Sequence, residues 1–214
     1  MTLNEIKRLV KGGEGDHVEF KKKINHPEKV IKEVVAFANT QGGHLFVGVD
    51  DDRHIDGLSF PHEEEFILTK AIEELCRPSI PFTTEIVELN ESKSILHYEI
   101  FSGEEKPYFA FQQKNHRLGR AFVRVGDKSI QASKELRKTL QKESQNKPTG
   151  FSYGQYEKQL IEYLGSHSHI TLQQFCKLAD LDEKEASAIV IGLAQSHVIK
   201  IIPREHEDWY VFVE

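Results

Sequence analysis

Nowhere in the 214 residues do eighteen apolar positions run together, so no helical membrane span is expected. The opening stretch, Met1 to Gly13, is charged and amphipathic and lacks the apolar core of a signal peptide, which argues against secretion. Cysteine is scarce: Cys76 and Cys176 stand a hundred positions apart with no CxxC pair, which excludes a disulfide scaffold and points to a reducing cytoplasm with both thiols buried and free. Basic charge is also short. The net charge is -6, so the chain is not covered in basic surface, and any binding of a polyanion must be local. The deficit is uneven, because Met1 to Lys147 carries 23 basic against 24 acidic residues, leaving 5 against 10 beyond it. Eleven histidines are present, but none forms an i,i+4 pair with a third ligand nearby, and no zinc site is expected.

What is there reads as an α+β chain in two parts. Leu3, Ile6, Leu9 and Val10 share one face of a short helix ended by Gly12-Gly13. His17 to Lys21 alternates as a strand, with Val18 and Phe20 to one side and Glu19 to the other, away from the core side. Pro27 opens a helix whose apolar stripe, Val30 to Ala38, stops at Gly42-Gly43; these glycines are read as a left-handed cap and a tight entry to the next strand. Asn39 and Thr40 are read as capping that helix end. His44 to Val49 is a continuous apolar run, expected to be a buried central strand. A helix over Glu63 to Leu75, strands over Thr83 to Leu89 and Ser94 to Phe101, a strand over Ala121 to Val125 and a helix over Ser133 to Glu143 complete a mixed sheet with packed helices, over residues 1–143.

Residues 144–154 have a linker's composition. Beyond it, over 155–214, three helices precede a hairpin formed by Val198 to Ile202 and Trp209 to Val213. Thr171 caps the second helix, and Asp182 with Glu185 forms a capping-box start to the third. Three helices and a two-stranded hairpin are the pattern of a small winged helix-turn-helix domain. Its third helix offers Asp182, Glu183 and Glu185 with one cation, Lys184, at the end that would meet base edges. Acids there repel phosphate, so dimerisation or a protein contact is expected of this domain at least as much as groove reading. Trp209 and Tyr210 could stack on bases, although the domain's own core is their more ordinary place.

Several blocks occur in a telling order: Glu14-Gly-Asp-His-Val-Glu19-Phe-Lys21, Ala36-Phe-Ala-Asn-Thr40-Gln-Gly-Gly43, Leu45-Phe-Val-Gly-Val-Asp-Asp51, then Lys106-Pro-Tyr108 and Ala121-Phe-Val-Arg124-Val-Gly, with Ser129 and Ala132. Together they resemble the AlbA_2 domain of the Schlafen group. The resemblance implies a nucleic-acid-handling fold, found in bacterial regulator-like proteins alongside winged helices. In Schlafen proteins it also implies an RNase, with a metal-binding carboxylate set that maps onto Glu14, Glu19 and Asp51. That nuclease core has two such lobes and a zinc cluster, whereas this chain has one lobe, so a homodimer would have to supply the second.

Three carboxylates converging on one point repel unless a hard cation neutralises them, and magnesium or manganese would suit. Lys21, Lys22, Lys23, Arg124 and Lys128 are the candidate phosphate contacts. Three expectations follow. The first is a DNA-binding, transcriptional-regulator-like protein acting on DNA or RNA; the second is a divalent-metal-dependent endoribonuclease using Glu14, Glu19 and Asp51 as catalytic ligands; the third is a protein-assembly module without nucleic acid.

Overall fold

The computed structural model describes residues 1–145 and 154–213 and divides the chain into two compact units, Met1–Ile130 and Gln131–Glu214. In the first unit, α1 (Leu3–Gly12) starts from a capping box in which Thr2 accepts from the backbone N–H of Glu5 and Glu5 reaches back to Thr2. β1 (Val18–Lys21) and α2 (Pro27–Asn39) follow, then β2 (Gly43–Val47), α3 (Pro61–Leu75), β3 (Cys76–Arg77), β4 (Phe82–Asn90) and β5 (Lys93–Ile100). β6 (Phe109–Ala110), β7 (Phe122–Val125) and β8 (Lys128–Gln131) close the sequence of strands. The main sheet is mixed, in the order β1-β2-β5-β4, with only β1 and β2 parallel. β2 is interior, as its continuous apolar run requires. Two short pairs, β3-β6 and β7-β8, stand outside it.

Alternation along the strands feeds two cores. Leu45, Val47, Leu96 and Tyr98 meet Ile31, Val34 and Phe37 of α2 and Leu68 and Ile72 of α3 on one face. Val18, Phe20, Phe46 and Ile95 meet Ile6 and Val10 of α1 on the other. Both faces of β1 are therefore covered. Glu19, expected on a side away from the core, instead lies in register with Leu45 and is 4% exposed. The turn at Gly42 behaves as anticipated: φ is +79°, its N–H reaches the Phe37 carbonyl, and a Cβ there would stand 2.6 Å from the Ile100 carbonyl oxygen. Asn39 does not cap. Its side chain is buried and joins α2 to the Tyr108 backbone in both directions, at 2.9 and 2.7 Å, and to the Phe122 carbonyl at 2.9 Å. Thr40 is the residue that turns back, donating to the Ala36 carbonyl.

In the second unit, α4 (Lys134–Gln145) lies with α5 (Gln155–Leu164), α6 (Leu172–Ala179), α7 (Glu183–Gln195), β9 (Ile199–Ile202) and β10 (Trp209–Phe212). The sequence pattern assigns α4 to the first domain, up to residue 143. Its apolar side faces the second unit's helices instead: Leu136 and Leu140 are buried, Glu135 accepts from Ser187 of α7, and Lys142 donates to Gln195. Most of the linker expected at 144–154 lies outside the described residues. β9 and β10 pair antiparallel, and Ile170 adds a bridge to Tyr210. Thr171 and Asp182 both cap as expected. Of the two thiols, both free, Cys76 is buried and Cys176 is half-buried. No helix among the described residues is long and apolar enough to cross a membrane.

On the α1 side of the sheet, His44 and His97 are 3.0 Å apart, and His97 also stacks on Phe46. Burial, and the His44 ring beside it, push His97 down to about 4 from its ordinary 6.5. A folded pKa below the unfolded one means that the unfolded chain takes up the proton first. Stability is expected to fall as the pH drops from about 6.5 to about 4, by up to roughly 3 kcal/mol. Urea midpoints measured from pH 7 to pH 4 should show this loss, and His97→Gln should flatten it.

Candidate functional site

β1 carries the candidate residues into the first unit. The chain folds back just before it, through a bridge between Gly15 and Val18, so that Glu14 comes alongside the strand and its carboxylate accepts from the Phe20 N–H at 2.9 Å. Glu19 points beneath α2. There it meets Arg124 of β7 at 2.8 Å and the Lys21 ammonium. Burial raises the Glu19 carboxyl, Lys21 opposes that rise, and the nearby Glu14 charge adds to it.

Arg124 has a fully buried side chain. Its guanidinium is engaged within the interior: Nε donates to the Gly15 carbonyl at 2.9 Å, one terminal nitrogen donates to Glu33 at 2.9 Å and forms the ion pair with Glu19, and the other donates to the Val18 carbonyl at 3.2 Å. Its plane lies over the Phe37 ring, 5.1 Å from the centroid. Ser129 of β8 donates to Glu33, completing the set. Arg124, expected to touch phosphate, is therefore closed to any ligand; this expectation is corrected because two carboxylates and two carbonyls already surround it.

The expected lysines fare differently from one another. Lys21 is taken up by Glu19, Lys22 pairs with Asp56 at 2.7 Å, and Lys23 is exposed. Lys128 is exposed at the start of β8. Asp51 is exposed in the turn after β2, a turn set by a Val49–Ile55 bridge and by the His54 N–H donating to Asp50 at 2.8 Å. Among the described residues, the three donors whose ligating atoms lie within 4.8 Å of one another are Asp50, Asp52 and His54. Glu14, Glu19 and Asp51 do not form such a group. As they stand, these three side chains do not fit a common divalent cation, and no catalytic step is derived through one.

In the second unit Tyr210 is buried, and Trp209 stacks on His169 at 3.9 Å and lies under the Arg204 guanidinium at 4.2 Å. Tyr210 therefore serves the core. Sequence reasoning missed Glu33, which sits within the apolar stripe of α2, and misassigned Asn39, whose partners lie 69 and 83 positions away. A buried-face position occupied by an acid, at 33, was the signal that could have found the first.

Fold and site together define an α+β domain whose motif residues build an interior ionic network. The chain belongs to the Schlafen AlbA_2 family, whose sequence profile matches residues 14–133. Among solved structures it is similar to the N-terminal domain of an ATP-dependent DNA helicase RecG-related protein from Nitrosomonas europaea, at 19% identity and a TM-score of 0.45, over 58% of this chain and 88% of that one. It is also similar to the DIP2311 protein from Corynebacterium diphtheriae, at 16% identity and a TM-score of 0.44, over 84% of this chain and 36% of the other.

Replacing Arg124 by Met should leave the buried Glu19 and Glu33 with only the partly exposed Lys21 and Lys32 as counter-charges, at a cost of about 3–5 kcal/mol in folding stability. Denaturant titration measures it. A variant that folds as stably as the wild type while losing affinity for nucleic acid would restore the phosphate-binding role.

Proposed function

We propose that this protein binds nucleic acid as a DNA-binding, transcriptional-regulator-like protein, with the AlbA_2 domain holding the backbone and the second unit acting as a winged helix in assembly. One observation carries binding over cleavage: Glu19, central to any carboxylate site, is already neutralised by Arg124 and Lys21. A carboxylate so compensated has little to gain from a cation. Family membership supports the nucleic-acid partner, and the exposed Lys22, Lys23 and Lys128 would be its phosphate contacts. For the second unit, helices α5, α6 and α7, the β9-β10 hairpin and the Ile170 bridge support the winged-helix reading, and the acidic start of α7 favours a protein contact over a DNA groove.

A second reading, a divalent-metal-dependent endoribonuclease, draws on a different observation: the fold-back before β1 sets Glu14 in the field of Glu19. Magnesium or manganese would be its cation, and a homodimer would supply a second lobe.

Labelled duplex DNA and structured RNA, titrated at several salt concentrations with and without manganese, separate these readings. Binding without cleavage is expected, with log K falling linearly in log salt. Lys22→Glu with Lys23→Glu should lower that slope by about 0.9 for each duplex phosphate that the variant no longer neutralises. Manganese-dependent cleavage that disappears in Glu14→Gln with Asp51→Asn would instead establish the nuclease, and the absence of salt-sensitive binding would leave assembly as the function.

A further inference from the structure

The chain is acidic as a whole, yet no carboxylate occurs between Glu105 and Asp127. Within that stretch Lys106, Lys114, Arg117, Arg120 and Arg124 concentrate positive charge, and Lys114, Arg117 and Arg120 lie on one projection. Residues 112–118 are exposed without interruption, between β6 and β7. They form the end of a hairpin-like loop closed by one β-bridge. Ala110 and Arg120 exchange two backbone hydrogen bonds of 2.8 Å, and the Phe111 N–H donates to the Leu75 carbonyl at 2.8 Å, tying the base to the end of α3. Gly119 is pressed against Phe109 and Phe111, whose side chains would lie 2.7–2.8 Å from a Cβ placed there. The tip turns through a bond from the His116 N–H to the Gln113 carbonyl. A fixed base therefore presents an exposed tip.

The side chains at this tip are committed to little else. Lys114 pairs with Glu74 at 3.2 Å while staying 63% exposed. Arg117 and Arg120 have no carboxylate partner among the described residues. Between them, Leu118 is 88% exposed. A single exposed leucine is unremarkable on most surfaces. Here it is flanked by these two guanidinium groups on a loop closed at its base by one β-bridge, and that combination matches a partner offering phosphates beside apolar base surface. An apolar wedge beside arginines is a recurrent device of proteins that bind the minor groove of a duplex.

We infer that the hairpin-like loop from Phe111 to Arg120 is an arm that docks on duplex nucleic acid, with Arg117 and Arg120 on phosphates and Leu118 against the bases. This inference rests on the nucleic-acid-binding reading above and adds a binding surface to it, separate from the lysines that follow β1. Unlike Lys21 and Lys22, which are held by Glu19 and Asp56, the two arginines give up no internal carboxylate on binding.

The test compares the full chain with Arg117→Ser/Arg120→Ser, with Leu118→Ser, and with a charge-matched control, Lys7→Ser/Arg8→Ser on α1, using fluorescent duplex DNA, duplex RNA and single strands. The double arginine variant should melt like the wild type, bind a duplex at least five-fold more weakly at 150 mM salt, and lower the salt slope by about 1.8 for two phosphates. Leu118→Ser should weaken binding several-fold with the slope unchanged, since no counterion is involved. Duplex binding that the arginine variant leaves untouched, or that the α1 control lowers equally, overturns the arm while leaving nucleic-acid binding in place; binding to single strands alone does the same. A wild-type protein that binds no nucleic acid removes both readings at once.

Discussion

The first unit depends on one buried guanidinium. Arg124 sits where β7, the turn before β1, and α2 meet, and its donors reach Glu19, Glu33, Gly15 and Val18 together. A monovalent cation between two carboxylates in a protein interior is tolerated only with near-complete hydrogen bonding, since the desolvation of each ion costs several kcal/mol. The carbonyls of the fold-back and the hydroxyl of Ser129 supply the remainder. The same interactions that satisfy the charge also hold the fold-back and set Glu14 beside the strand.

This arrangement changes what the motif residues mean. Glu19, Arg124 and Ser129, far apart in sequence, belong to one ionic cluster. Asn39 and Tyr108 belong to a second, neutral one, with the Lys106 ammonium reaching the Thr40 carbonyl close by. Much of the pattern that marks the family is thus interior wiring between α2, the Tyr108 segment and β7. Lys23 and residues 112–118, which the pattern marks less strongly, lie exposed.

The second unit follows a different logic. Its helices are specified locally, with capping boxes at Thr171 and Asp182, and its stability rests on a small apolar core that includes Phe175, Val190, Leu193 and Tyr210. The acids that begin α7 suit its N-terminus, where unpaired N–H groups favour negative charge. What helps the helix start is also what makes that end a poor match for phosphate.

Periodicity placed the helices and the longer strands closely, because apolar spacing and punctuation by glycine and proline are local properties, but it did not find the short strands β3, β6 and β8, whose pairing is not set by an apolar pattern. It also found the Gly42 turn and the caps at Thr171 and Asp182. The family pattern was legible for the same reason, as ordered blocks of residues. The side of β1 on which Glu19 finds a partner was not legible, because alternation says that Glu19 opposes Phe20 but not that a second layer covers its face. Nor could any local signal have paired Arg124 with Glu33, 91 positions away, or moved α4 into the second unit. The sequence determined the elements, the turns and the family by itself; only the tertiary structure decided which charges are buried against each other and which remain for a partner, since that depends on interactions between segments distant along the chain.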